Sequence, residues 1–287
     1  MIEIVRPGWE ATVQDHGRCG LAHLGVPRAG AADRRSFDLG NRLLGNAVGA
    51  AALEFLLGGF VVRFTAATTF VITGAPVPAA LDDRPMASDT WTYARPGQRL
   101  TAGPPPDGLR TYLGVGGGIA TTPVLGSRST DTLSGMGPGR LVAGDVLPVG
   151  PSPRAPGRPT DVVWSPCRPG PSVLRFRWGP RHDWFTSAAR EAFVASGWTV
   201  STQIDRVGAR LLGPKLTTID ERQLPSEGQL LGSVQVPPSG QPIVLLANHA
   251  PTGGYPVIGV VQQADVAVLA QLPPGRELRF SPQRVRR

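Results

Sequence analysis

Pro251-Thr252-Gly253-Gly254-Tyr255-Pro256 stands between two apolar runs, Val244-Leu245-Leu246-Ala247 and Val257-Ile258-Gly259-Val260-Val261. Short β-branched and aliphatic runs punctuated by Gly and Pro read as buried strands. The paired glycines let the backbone turn where side chains would clash, and they leave peptide N–H groups bare. Such a loop can hold an anion or an oxyanion, with Thr252 and Tyr255 adding hydroxyls. A hairpin closed by a glycine turn is the plainer alternative.

The same recipe extends on both sides. Toward the C-terminus, strands are expected at 173–178, 199–204, 232–236, 243–247, 257–261 and 276–280. A helix is expected from an Asp183 cap through Trp184, Phe185, Ala188, Ala189, Ala192 and Phe193, with Gly197 as its stop. Toward the N-terminus, strands are expected at 2–5, 53–57, 60–64, 69–73, 90–93, 110–115 and 146–149. One helix is expected there, capped by Asp33, with Phe37, Leu39, Leu43 and Leu44 as its apolar side and Gly45-Asn46 as its end. Many short strands with few helices point to a mainly β protein built of barrels or sandwiches. Pro151, Pro153, Pro156, Pro159, Pro166, Pro169 and Pro171 interrupt regular structure. They mark 151–171 as a linker between an N-terminal half, 1–150, and a C-terminal half, 172–287. The phrases Pro96-Gly97-Gln98-Arg99-Leu100 and Pro274-Gly275-Arg276-Glu277-Leu278 echo each other across the halves.

Composition excludes several classes. With 287 residues the chain can bury a sizeable core without disulfides. No run of roughly 18 apolar residues occurs, and Met1-Ile2-Glu3-Ile4 opens no signal peptide, so a cytoplasmic protein away from membranes is expected. The formal charge of +8 does not indicate nucleic acid. Lys215 is the one lysine, and the arginines are scattered apart from the tail Arg284-Val285-Arg286-Arg287, which reads as a solvated end. Cys19 and Cys167 read as reduced thiols, and His16, His23, His182 and His249 form no metal-ligand spacing.

Four further segments can carry chemistry. Thr12-Val13-Gln14-Asp15-His16-Gly17-Arg18 reads as a polar loop, either a site or a set of Asx turns. Glu54, between Leu53 and Phe55, needs a partner or a function, because an unpaired buried charge is costly. Gly116-Gly117-Gly118 follows a strand and allows close approach of a ligand, with Ser127-Arg128-Ser129-Thr130 downstream to bind an anion. Neither a P-loop nor a dinucleotide fingerprint is present. Asp205-Arg206-Val207-Gly208 can clamp a carboxylate or form a salt-bridged turn.

Taken together these segments resemble the biotin-dependent carboxyltransferase family, also called allophanate hydrolase subunit 2. Its members include the C-type subunit of bacterial 5-oxoprolinase and the matching portion of urea carboxylase. The resemblance runs from Pro7-Gly8 to Pro273-Pro274-Gly275. It is carried by Thr12–Asp15, Gly25-Val26-Pro27, Gly45-Asn46, Leu53-Glu54, Gly116–Ile119, Leu125–Ser129, Asp205–Gly208, Ser226-Glu227-Gly228, Gln235-Val236-Pro237 and Thr252–Pro256. It implies a cyclophilin-like β-barrel in each half. It also implies a separate or fused subunit 1 that completes the active cleft, and in 5-oxoprolinase a third subunit. ATP is then used by the assembled complex, which opens 5-oxoproline to glutamate. No cofactor is bound covalently here, since Lys215 lies in Gly213-Pro214-Lys215-Leu216 and not between methionines. Biotin enters only in the alternative, a carboxyltransferase acting on urea or a related amide with biotin on another chain. A regulatory partner of subunit 1 without chemistry is the third reading.

The family has an acid and an Arg where this chain has Asn248 and His249, and an amide cannot serve as a base. If the family's acid is a base, Asp15, Glu54 and Asp205 are the candidates to replace it, with the Tyr255 hydroxyl beside them. The favoured reading is that the acid only orients its neighbours, so that Asn248 keeps the hydrogen bond and loses only the charge. Gln14, Gly117, Gly118, Arg128, Arg206, Asn248, Thr252, Gly253 and Gly254 are the candidate substrate contacts. No metal is expected.

Overall fold

Runs of β-branched and aliphatic residues become strands in the computed structural model, which describes residues 1–152, 172–219 and 224–283. The chain divides into one unit of Met1–Cys19 with Ala29–Arg168, and a second of Gly20–Arg28 with Pro169–Arg287. Most of the proline-rich stretch expected as a linker, together with Cys167 and the Arg284–Arg287 tail, lies outside the described residues.

The first unit holds β1 (Ile2–Arg6), β2 (Glu10–Gln14), α1 (Arg34–Leu44), β3 (Ala52–Leu56), β4 (Val61–Phe64), β5 (Thr68–Gly74) and β6 (Ala79–Leu81). It continues with β7 (Arg84–Met86), β8 (Thr92–Ala94), β9 (Arg99–Ala102), β10 (Arg110–Val115) and β11 (Val146–Leu147). They form two antiparallel sheets, ordered β11-β1-β4-β9-β6-β7 and β2-β3-β10-β5-β8. Ile4, Val62, Phe64 and Leu100 of the first sheet share one core with Val13, Leu53, Phe55, Ile72 and Leu113 of the second. Two stacked ring pairs, Phe55 with Phe60 at 3.8 Å and Phe64 with Phe70 at 4.8 Å, lie in that core. The other face of the second sheet lies under α1, where Phe37, Ala52 and Tyr112 make a smaller cluster. Covered on both faces, β10 is buried at every residue.

Helix α1 begins and ends where its signals place it. Asp33 accepts from the N–H of Arg35 and Ser36, and Gly45 caps the C-terminus in the left-handed region. Its buried stripe differs from expectation: Phe37, Gly40, Asn41 and Leu44 face inward, whereas Leu39 and Leu43 are only partly buried. Spacing of three and four residues selects that stripe, and at Gly40 a Cβ would lie 3.5 Å from Thr73 and Val71.

The second unit holds β12 (Ser172–Trp178), α2 (Ser187–Ala195), β13 (Trp198–Ile204), β14 (Gly208–Leu212), β15 (Glu227–Gly228) and β16 (Ser233–Gln235). It continues with β17 (Ile243–Leu245), β18 (Thr252–Gly253), β19 (Val257–Val261), α3 (Gln263–Leu269) and β20 (Glu277–Pro282). Strands β12-β19-β16-β17-β14-β13-β20 close a barrel around Leu174, Phe176, Trp198, Leu211, Val244 and Ile258. The fold is thus mainly β, with one closed barrel and the sheet pair of the first unit. No described helix is long and apolar enough to cross a membrane.

Three local expectations are corrected here. Strands β17 and β19 do not form a hairpin: β16 pairs with both and separates them. The cap of α2 is Thr186, which accepts from Ala189 N, while Asp183 lies in a preceding 3-10 turn and Ser196 ends the helix. Thr12, Val13 and Gln14, the first residues of the polar loop expected over 12–18, belong to the buried strand β2, and the loop begins only at Asp15. The echoed Pro-Gly phrases do serve one purpose: Gly97 and Gly275, at φ 88° and 85°, each turn the chain into the following strand, β9 and β20.

One loop residue between β7 and β8 opposes folding. Burial pushes the Asp89 carboxyl from the ordinary 3.8 up to about 6. Its Oδ1 has no partner among the described residues. The folded state holds this proton more tightly, so stability falls as pH rises from about 4 to 6. Asp89 sits at φ 57°, which Asn tolerates. Asp89→Asn should stabilise at pH 7 by ~1 kcal/mol after discounting for partial exposure, and raise Tm by ~2–4 °C. Melting curves at pH 4.5 and 7 check this: the gain should vanish at the lower pH.

Candidate functional site

The polar candidates of the first unit converge on Asp15, just past the end of β2. Its Oδ1 accepts from Gly17 N (2.7 Å), Ser127 Oγ (2.6 Å) and Ser129 Oγ (2.6 Å), and its Oδ2 accepts from Arg128 N (2.6 Å). Burial by itself raises the carboxyl pKa; these donors outweigh it and hold the group below the usual carboxylate range. A carboxylate so fully engaged is a poor proton acceptor near neutral pH. It organises the 127–129 loop instead. Arg128 Nε donates to Thr121 O at 2.7 Å. Gln14 donates to Thr12 Oγ1 and Thr130 O, and its Oε1 is buried without a partner among the described residues. Arg18, 2% exposed, donates to Val124 O and Ser129 O.

Register explains Glu54. Thr12, Glu54, Tyr112 and Thr73 are direct partners across β2, β3, β10 and β5, one polar row beneath α1. Glu54 Oε2 accepts from Tyr112 OH (2.7 Å) and Ala32 N (3.0 Å), and Oε1 meets Arg110 Nε at 3.4 Å. Tyr112 OH accepts from Asp33 N, and Thr73 Oγ1 donates to Ser36 O. Burial, then the Glu54 and Asp33 charges, push the Tyr112 phenol well above its ordinary value. This network seats the N-terminus of α1 on the sheet. The ion pair with an arginine, one of the two readings of Glu54, is the one present.

The triple glycine does not offer bare donors. Gly116 N donates to Thr69 O, Gly117 N to Asn46 Oδ1, and Gly118 N to Val115 O. Gly117 sits at φ 88°, and a Cβ there would collide with Gly150 O. Close backbone packing demands glycine at 117, and Asn46 clamps this corner to the end of α1 through Val115 O.

In the second unit, Asp205 Oδ1 accepts from Val207 N (2.7 Å) and Gly208 N (3.0 Å), an Asx turn leading into β14. A shallow hollow of about 300 Å³ beside this turn contains Asp205 but no other expected site residue. Arg206 and Asn248 are buried side by side along the backbone, with Asn248 N donating to Arg206 O at 2.8 Å. Thr252 and Gly253 pair with Gly228 and Glu227. Gly254 is exposed, and its N–H makes no hydrogen bond within the described residues, so this part of the loop keeps the free donor expected of it. Tyr255 is 45% exposed.

His249 titrates against folding. Burial, with the Arg28 charge adding to it, lowers its pKa, and the bond to Ala250 O opposes this only in part. The folded state then binds the proton less tightly than the unfolded chain, whose value is near 6.5. Stability is full above that value and falls as pH drops below it. His249→Gln should flatten the decline of Tm between pH 7 and 5, which thermal melts of the two proteins compare directly.

Two glutamines complete the second-unit set: Gln229, which no sequence motif singles out, and Gln235, which stands in the sequence only within the motif Gln235-Val236-Pro237. Gln229 and Gln235 are 8% and 7% exposed and flank the 251–256 loop: Gln229 N donates to Pro251 O, and Gln235 pairs with Val257 just past the loop's end. The available signal was a glutamine inside the otherwise small and apolar run Ser233-Val234-Gln235-Val236.

A closed barrel and a two-sheet unit in one chain, each with buried polar groups held under loops, have a counterpart among known folds. Residues 24–282 match the family described as carboxyltransferase domain, subdomain A and B, and the chain belongs to that family. Within it, the chain is 41% identical over 286 residues to the C-type subunit of 5-oxoprolinase from Escherichia coli strain K12, covering 98% of this chain and 90% of that protein. It aligns with the crystal structure of TTHA0988 at a TM-score of 0.87 and 36% identity, covering 98% of this chain and 56% of that one. It aligns with the K. lactis urea amidolyase crystal structure at a TM-score of 0.91 and 29% identity, covering 99% of this chain and 19% of that one. The chain therefore spans little more than half of the first structure and about a fifth of the second.

Proposed function

We propose that this chain is the C-type subunit of an ATP-dependent 5-oxoprolinase, acting with a subunit 1 homologue and a third subunit. One observation carries the reading: the 41% identity to the E. coli 5-oxoprolinase chain extends over 90% of that protein. In the reaction, water adds to the lactam carbonyl carbon, the ring C–N bond breaks, and the nitrogen leaves as the amine of glutamate. ATP hydrolysis in the complex drives the opening. The part assigned to this chain is to hold the amide and stabilise its carbonyl oxygen. The exposed N–H of Gly254, unbonded among the described residues, is assigned as one donor to that oxygen, since preorganised backbone donors stabilise developing negative charge. Asp15 and Glu54 carry structural bonds and are not assigned proton transfer.

Carboxyl transfer to urea from biotin on another chain is the second reading, supported by the alignment with K. lactis urea amidolyase. The test is reconstitution with the purified partners. ATP-dependent formation of glutamate from 5-oxoproline is expected from the complex, and none from this chain alone. A complex that turns over urea but not 5-oxoproline selects the second reading. Full ring opening by the isolated chain overturns the multi-subunit assignment.

A further inference from the structure

Gln235 Nε2 is a buried donor and Gln229 Oε1 a buried acceptor, and neither has a hydrogen-bond partner among the described residues. Both side chains are more than nine-tenths buried. Leaving such atoms unmatched is unfavourable, so a pair of opposite polarity beside one loop calls for a ligand that satisfies both. The two side chains both border Gly253: an ideal Cβ there would collide with the Gln235 amide at Nε2 and lie 3.4 Å from the Gln229 stem at Cγ. Gln229 Nε2 donates to Glu227 O, which turns its Oε1 away from that carbonyl. The backbone around both is pinned, by Gln229 N to Pro251 O and by Val236 N to Pro256 O.

We infer that Gln229 and Gln235 form a specificity-determining pair that reads the edge of an amide whose C=O and N–H point the same way. Gln235 Nε2 donates to the carbonyl oxygen and Gln229 Oε1 accepts from the N–H. Lactams and ureas present such an edge, because ring closure or a second N–H places a hydrogen on the carbonyl side. An open-chain trans peptide points the two groups in opposite directions and satisfies only one glutamine. A lactone offers the carbonyl and lacks the N–H. The choice of a lactam as ligand rests on the function proposed above; the donor–acceptor pair does not.

The experiment measures calorimetric binding to the complex with subunit 1, without ATP. The probes are 5-oxoproline and its ring-oxygen analogue, 5-oxotetrahydrofuran-2-carboxylate. Wild type should bind the lactam at least about tenfold more tightly than the lactone. Gln229→Met should weaken the lactam by about tenfold and bring the ratio near one, while Gln235→Met should weaken both and leave the ratio. Gln229→Leu and Gln235→Leu replace any variant that fails to fold. An unchanged ratio in the Gln229 variant, or wild-type binding in both, overturns the pair. A wild-type complex that binds neither probe defeats the oxoprolinase reading, and urea then decides the pair. Tenfold weaker urea binding in both variants upholds it, and equal or absent urea binding overturns it.

Discussion

Gly253→Ala is expected to lower the turnover of the assembled complex by about 10²-fold while leaving the fold intact. The added methyl meets the far end of the Gln235 side chain, not backbone, so the amide can move aside at little cost in stability. The displaced amide is one of the proposed contacts to the substrate, beside Gln229 and the Gly254 N–H. A misplacement of about 1 Å at such a contact can cost 10²-fold in rate. Gly253 remains paired with Glu227, and the short ladder of β15 and β18 persists. The salt bridge from Glu227 to Arg181 is likewise untouched. Steady-state kinetics should therefore show the loss, and thermal melting should shift by no more than ~2 °C. Wild-type kcat/KM in this variant would remove the 251–256 loop from substrate contact.

Asp15→Ala is expected to act on stability first. It removes the acceptor for two hydroxyls and two backbone N–H groups, of which Ser127 and Ser129 are 1% and 0% exposed. Buried donors left unmatched cost about 1–3 kcal/mol each, and relaxation of the loop recovers part of this. A net loss of ~3–5 kcal/mol is expected, among the larger effects of a single substitution. The loss depends on pH in a defined direction. With its folded pKa below the ordinary 3.8, Asp15 stabilises the protein above that value, and the contribution fades as pH falls through the lower folded value. Denaturant melts at pH 7 and pH 3 should show the mutant and wild type converging in acid. Asp15→Asn distinguishes the structural role from proton transfer. If it keeps most of the stability yet abolishes turnover, the carboxylate is a base after all.

Much of the candidate site was visible as a set of segments, and less of it as roles. Glu54 stood out because an acid between apolar residues demands a partner, Asp15 because it lies in a polar, glycine-containing segment, and Asp205 because it adjoins Arg206. What partner each one finds depends on strands far away in sequence. Asp15 meets residues 127–129, and Glu54 meets Tyr112 and Arg110 only because β2, β3 and β10 align in one register. Gly117 and Gly254 look alike in sequence, yet one N–H is consumed by Asn46 and the other is free among the described residues. Gln229 carries no local signature, and Gln235 was visible only as part of the motif Gln235-Val236-Pro237, without a role; the significance of both is the absence of a partner among the described residues, which is a property of packing.

Local chemistry was enough for the elements whose signals are local. Asp33 and Gly45 bound α1 through caps that use neighbouring N–H and C=O groups, and the runs 110–115 and 257–261 are strands of the expected length. Alternating strand and turn signals were likewise enough for a mainly β fold, and the ordered motifs for the family. Tertiary structure alone decided where strands pair and what they bury. It placed β16 between β17 and β19 in a closed barrel, and it drew Thr12–Gln14, the start of the expected polar loop, into a buried strand by laying them beside β3. The physical reason is that a hydrogen-bond ladder and a buried polar contact are satisfied by whichever group arrives opposite. That partner is chosen by the whole sheet and its core, not by the residues on either side.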